Sequence, residues 1–182
     1  MPNNYGPLAA LIGVWEGQHG KDVSPEPDAV EINDFRETLV FEAADDLSNA
    51  EQQDLWVVRY HQLIYRNRDN KHLHDQVGYW SWDPTTNQVI QSVTIPRGVC
   101  LVATGGFEQK ENTLVFEVTA GTDNADSGIA QTTFMSEKAN TAGYQLKLSV
   151  SDDTLNYTQS TLLDIYGNRF DHTDENTLIR KS

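Results

Sequence analysis

Side chains that could bind a metal or move a proton near neutral pH are few in this chain: His19, His61, His72, His74, His172 and the single Cys100. His172 is the only histidine of the second half, in Arg169-Phe170-Asp171-His172-Thr173-Asp174-Glu175-Asn176. If that segment is extended, Phe170, His172 and Asp174 share one face. Neighbouring acids favour the imidazolium and so oppose metal ligation, which needs a neutral nitrogen. The same acids, Asp171 or Asp174, can instead accept the free ring N–H and fix the tautomer of a ligating histidine. His72 and His74 are spaced to share a strand face as two zinc ligands, but no third is identifiable. Cys100 sits in the apolar run Val99-Cys100-Leu101-Val102, where an inert packing thiol is expected. There is no Gly-x-Ser-x-Gly elbow, phosphate-binding glycine loop, Cys-x-x-Cys or His-Glu-x-x-His, so the common enzyme classes have no support.

The elements that must position these groups are strands. Leu73 to Trp82 and Gln88 to Gly98 are rich in aromatic and β-branched residues and flank the turn-forming Asp83-Pro84-Thr85-Thr86-Asn87, which predicts a hairpin. Leu55 to Arg66 should pair on its other side. Val77 and Tyr79 point one way, while Gly78, Trp80 and Trp82 point the other. A sheet apolar on both faces with almost no helix to cover it favours closure into a barrel with a lined interior.

The rest of the chain fits that plan. Tyr5 to Ile12 reads as one or two helical turns, and the first strand begins at Gly13-Val14-Trp15-Glu16-Gly17. Lys21 to Asp34, with two prolines among acids, reads as a long surface loop, a mobile lid or a loose excursion. Phe35 to Glu42 alternates, with Phe35, Glu37, Leu39 and Phe41 on one side. Ala43 to Asp54 reads as an acidic, weakly helical connection. Further strands are expected at Val99 to Phe107, Asn112 to Ala120, Ile129 to Ala139, Tyr144 to Val150, Thr154 to Tyr166 and Phe170 to Lys181. Gly121 to Gly128 lacks the downstream glutamate of a calcium loop and reads as a solvated turn. The total is an all-β fold, an up-and-down antiparallel barrel of about ten strands with a short N-terminal helical turn. First and last strands are neighbours in such a barrel, so Trp15 should stack with Arg180.

The 182 residues suit one domain, 1–182, large enough to hold a core and a cavity together. A net charge of −14 repels phosphate backbones and anionic lipid, so neither nucleic acid nor membrane is an expected partner. No apolar run approaches a membrane span and no signal-like segment opens the chain, which points to a soluble, cytoplasmic protein. One local exception, Arg59, Arg66, Arg68, Lys71, His72 and His74, gathers positive charge. It reads either as a solvated turn or as a mouth for an anionic head group.

Leu8-x-x-Leu11-x-Gly13-x-Trp15-x-Gly17, His74-x-x-x-Gly78-Tyr79-Trp80 and Pro96-x-Gly98 together resemble the nitrobindin family, haem-binding β-barrels related to lipocalins and fatty-acid-binding proteins. The blocks occur in order and span most of the chain. The resemblance implies a ten-stranded calycin-like barrel whose cavity takes haem, as haem b, with a histidine near the C-terminus as iron ligand. Only His172 matches that position. The family's association with nitric oxide and peroxynitrite at ferric haem would make the protein a sensor, scavenger or isomerase. On this reading the barrel binds a small hydrophobic ligand, as monomer or homodimer, with His172, Trp80, Tyr79 and Arg59 around it. The alternative is a carrier of a fatty acid or other amphiphile, whose carboxylate Arg59, Tyr79, Tyr157 or Arg169 would hold.

Overall fold

The computed structural model describes residues 5–121 and 124–181. Thr122 and Asp123 of the expected Gly121 to Gly128 turn lie outside them. A 3-10 helix, Gly6–Ala10, leads into β1 (Gly13–Glu26), β2 (Ala29–Ala43), β3 (Leu47–Asn49), β4 (Gln53–Arg66), β5 (His72–Asp83) and β6 (Gln88–Ile95). Then follow β7 (Val99–Lys110), β8 (Thr113–Gly121), β9 (Gly128–Gln131), the helix α1 (Thr133–Lys138), β10 (Ala139–Ser151), β11 (Thr154–Ile165) and β12 (Asn168–Arg180).

Ten antiparallel strands close on themselves in the order β2-β1-β12-β11-β10-β8-β7-β6-β5-β4, and β4 returns to β2 over Phe35↔Arg66 to Ala43↔Val58. Short β3 and β9 extend the wall, pairing with the parts of β4 and β7 that β2 and β8 leave open. The fold is therefore the all-β barrel expected, and closure removes every long unpaired edge. No helix among the described residues is long and apolar enough to cross a membrane.

Period-two alternation decides what faces inward. On β2, Phe35, Glu37, Leu39 and Phe41 are buried, as expected. On β5, Trp80 is buried while Val77 and Tyr79 are exposed. Gly78 is required on β5, because a Cβ there would come within 1.9 Å of the Ser92 carbonyl oxygen. One end of the barrel is stoppered by Leu8 of the 3-10 helix and Leu11 just after it against Trp15, whose Nε1 donates to the Leu11 carbonyl at 2.7 Å.

Four expectations are corrected. The loop expected at Lys21 to Asp34 is the distal half of a long β1–β2 hairpin, paired to its tip at Glu26↔Ala29. Pro25 is tolerated because the β12 ladder ends at Val23↔Thr173, leaving β1 only β2 as a neighbour. Ala43 to Asp54 contains the short strand β3 rather than a helical connection. Ile129 to Ala139 is not one strand: β9 stops at Gln131, and Thr132 caps α1 by accepting from the Met135 N–H. Cys100 is exposed on β7, since Val99, Leu101 and Ala103 take the inward positions around it.

Candidate functional site

At the end opposite the 3-10 helix, β12 turns His172 and Asp174 inward, and β1 brings Asp22 beside them through the pairing Asp22↔Asp174. His172 Nε2 donates to Asp22 Oδ1 at 2.7 Å and lies 3.7 Å from Asp174 Oδ2. The other oxygen of Asp22 is fixed by Ser24 Oγ and Asn33 Nδ2, each donating at 2.8 Å. Asn33 in turn accepts from Arg66 Nη1 at 3.2 Å, while Asp69 holds the same guanidinium in a two-point pair. The side chains of Asp22 and Asp174 are nearly buried and that of His172 is 28% exposed, so one edge of the imidazole meets solvent.

Burial works against the His172 imidazolium, but the Asp22 hydrogen bond and the charges of Asp174 and Asp22 outweigh it and hold its pKa above the ordinary value. Burial is also the largest influence on Asp22, yet its bonds to His172 and Asn33 win and keep its pKa low. Asp174 is pushed up to about 7 by burial, with the charges of Asp22 and Glu37 overcoming the opposing pull of His172. Near neutrality Asp22 is therefore a carboxylate, His172 is biased toward the imidazolium, and Asp174, with a pKa of about 7, is divided between acid and carboxylate.

A second inward histidine faces this group. His74 of β5 donates from Nε2 to Gln76 Oε1 at 3.0 Å, and burial, with a smaller push from the charges of His172 and Arg97, lowers its pKa. Between the two histidines runs a floor of tyrosines and glutamines. Gln76 Nε2 donates to Tyr60 Oη at 2.7 Å, and the single Tyr144 hydroxyl proton is shared between Gln91 Oε1 at 3.0 Å and Gln159 Oε1 at 3.2 Å. Deeper still, Glu37 accepts from Gln62 Nε2 (2.7 Å), Asn176 Nδ2 (2.8 Å) and Tyr157 Oη (2.9 Å). Burial raises its pKa in spite of these three donors. The interior below the floor keeps a cavity of about 20 Å³, touched by Trp80, Tyr60, Gln62 and Gln91.

The other residues expected at the site lie elsewhere. Arg59 and Tyr79 are directly opposed on neighbouring strands and both point out of the barrel, Arg59 to an ion pair with Glu42 at 2.9 Å. Period-two alternation next to buried Trp80 leaves them no inward position. Trp80 itself is core, edge-on to Phe116 at 5.8 Å. Arg169 pairs outside with Asp164, and Tyr157 is engaged by Glu37. His72 stacks on Tyr65 with centroids 4.9 Å apart, and no described cluster that could hold a metal contains it. The acid touching His172 is Asp22 from across the barrel seam, and Asp171 instead accepts from Ser160. The described cluster with metal-binding potential is Asp22, His172 and Asp174, whose ligand atoms lie within 4.8 Å of one another.

A closed ten-stranded barrel, stoppered at one end and carrying two inward histidines at the other, defines a small-ligand-binding β-barrel protein. The family model described as the THAP4-like, heme-binding beta-barrel domain matches residues 4–180, and the chain belongs to that family. The solved structure of Rv2717c from M. tuberculosis superposes with a TM-score of 0.71 at 19% identity, over 97% of this chain and 98% of that one, a likeness of fold. No curated protein matches the sequence.

The donor chemistry at this end suits haem iron. An inward, partly exposed imidazole lies beside a carboxylate, a donor set that would hold haem iron through His172 with Asp22 next to it. One contact stands against it: Asp22 engages the nitrogen that iron would take. Ligation therefore requires His172 to give up that bond and its proton.

Proposed function

We propose that the chain binds haem, as haem b, at this end of the barrel, with His172 as the protein ligand of iron and His74 facing it across the opening. The observation that carries the reading is the pair of inward-facing histidines at one end of the barrel, His172 on β12 and His74 on β5. Membership of a family described as haem-binding supports it. Ferric haem would supply a redox-active iron able to exchange a small ligand. The protein's part is done by its own groups. Asp22 would release His172 Nε2 to hold the iron, the largely neutral His74 would offer a hydrogen bond at the same barrel end, and the tyrosine and glutamine floor packs the interior beneath.

The alternative of an amphiphile carrier needs an interior channel, whereas the cavity below the floor is close to the space of a single water. Hemin titration of the wild type and His172→Ala tests the reading. The wild type should give a shifted Soret band and, reduced, an iron–histidine Raman stretch that His172→Ala loses. Identical spectra from both proteins remove His172 as ligand; no Soret shift in the wild type removes haem.

A further inference from the structure

Of the seven arginines in the chain, six are engaged by the fold. Arg59 pairs with Glu42, Arg66 with Asp69 and Glu31, Arg68 with Glu31, Arg169 with Asp164 and Arg180 with Asp153. Arg36 bonds Asn70 and lies over the Tyr65 ring. Arg97 makes no hydrogen bond, ion pair or ring contact among the described residues, in a chain with 27 acids to 13 basic residues. Its position is as notable as its freedom. It sits in the turn between β6 and β7, at the barrel end that holds the histidines, and its charge lowers the pKa of both His74 and His172. The turn itself is fixed. Gly98 N–H donates to the Ile95 carbonyl at 3.3 Å, Gly98 takes φ +77, and the Thr132 N–H donates to the Gly98 carbonyl at 3.0 Å. A hydrogen-bonded turn thus carries an exposed, unpaired guanidinium at this end of the barrel.

We infer that Arg97 receives the carboxylate of the ligand that seats at this end. The inference rests on the proposed ligand site but not on the ligand being haem. A molecule of net charge −14 repels any incoming carboxylate, and an unpaired arginine at the opening reverses that locally. A guanidinium also matches a carboxylate in a two-point bond that a lysine cannot reproduce. Arg59 and Arg169, the other arginines with a claim to this role, are spent on outward acids. The ligand class is an apolar body carrying a carboxylate, and two sources share that chemistry: a porphyrin propionate and a fatty-acid head.

The experiment separates them by esterification. Hemin and its dimethyl ester, and cis-parinaric acid and its methyl ester, are titrated into wild type, Arg97→Gln and Arg97→Lys, with melting curves to confirm that the exposed substitutions leave the fold intact. Arg97→Gln should weaken the acid form roughly tenfold and leave the ester unchanged, with Arg97→Lys between, the size of one charge-assisted bond. If hemin behaves so, the propionate is the group received. If hemin fails to bind wild type while parinaric acid shows the Arg97-dependent preference, the haem reading fails and the role of Arg97 stands. If acid and ester lose equally, or if no acid form depends on Arg97, the assignment is overturned, whichever ligand binds.

Discussion

The guanidinium of Arg180 lies 4.0 Å from the centre of the Trp15 ring, joining the last strand of the barrel to the first at the register Trp15↔Arg180. The same side chain donates to the carbonyls of Ala10 and Ile12 and pairs with Asp153 at 3.2 Å. It therefore fastens the 3-10 helix as well as the seam. Arg180→Ala should cost about 2 to 4 kcal/mol, combining a cation–π contact with charge-assisted bonds to carbonyls. Arg180→Lys keeps the charge but not the planar stack, and should lose about half of that. Chemical denaturation measures both; equal stability in all three proteins would show that the seam does not depend on this contact.

Glu37 is a buried carboxyl that accepts from donors on β4, β11 and β12, and so ties β2 to the strand that carries His172. Truncation to alanine leaves three buried donors without an acceptor, at a cost of about 3 to 5 kcal/mol. Glu37→Gln keeps the shape and one acceptor oxygen, and should cost about half as much. A Glu37→Ala protein as stable as wild type would mean that water enters to satisfy these groups.

The stability contributed by Asp174, Glu37 and His172 should fall as pH rises from about 4 through 7, opposed by buried His74, whose lowered pKa adds stability as pH rises toward its unfolded value. A carboxyl whose folded pKa is raised binds its proton more tightly when folded, so Asp174, near 7 against about 4 unfolded, contributes below its unfolded value and loses that contribution through 7. Glu37, also raised, acts with the same sign. The raised pKa of His172 contributes fully below its unfolded value and is lost as pH rises through the raised one. Asp22, held low, works oppositely, and its contribution disappears only below about pH 4. Asp174→Asn should flatten the slope between pH 4 and 7 by about 2 kcal/mol, since the nearby charges share the effect. Denaturation midpoints at pH 5 and pH 8 read it directly; the same pH dependence in wild type and variant would assign the slope to other groups.

The barrel was legible because period-two alternation and turn residues persist through nearly every strand, as on β2 and β5. The misreading of Lys21 to Asp34 came from taking Pro25 and Pro27 as loop formers. A proline is harmless where a strand runs past its neighbour, and only the topology reveals that. The same error hid Asp22, for a residue assigned to a loose loop cannot be seen as the partner of a histidine 150 positions away. Arg59 and Tyr79 were misplaced for a different reason: their charge and aromaticity suggested a ligand, while the alternation that buries Trp80 already placed Tyr79 outside.

The last prediction concerns the contact that opposes haem ligation. Asp22 contributes twice to keeping His172 from iron, by occupying Nε2 and by stabilising the imidazolium. In Asp22→Asn the amide oxygen still accepts from Asn33 and Ser24, so the β1–β2 hairpin keeps its bonds. The imidazole loses an anionic partner, its pKa drops, and more of it is neutral at pH 7. Hemin affinity should then rise by a few-fold at neutral pH, and the gain of affinity with increasing pH expected of the wild type should become smaller. His172→Ala combined with Asp22→Asn separates this from a general loosening of the barrel end, because without the imidazole the substitution at Asp22 has nothing to release. Titrations at pH 6, 7 and 8 decide it. Unchanged affinity in Asp22→Asn, or the same gain with and without His172, would show that Asp22 does not contest the iron site.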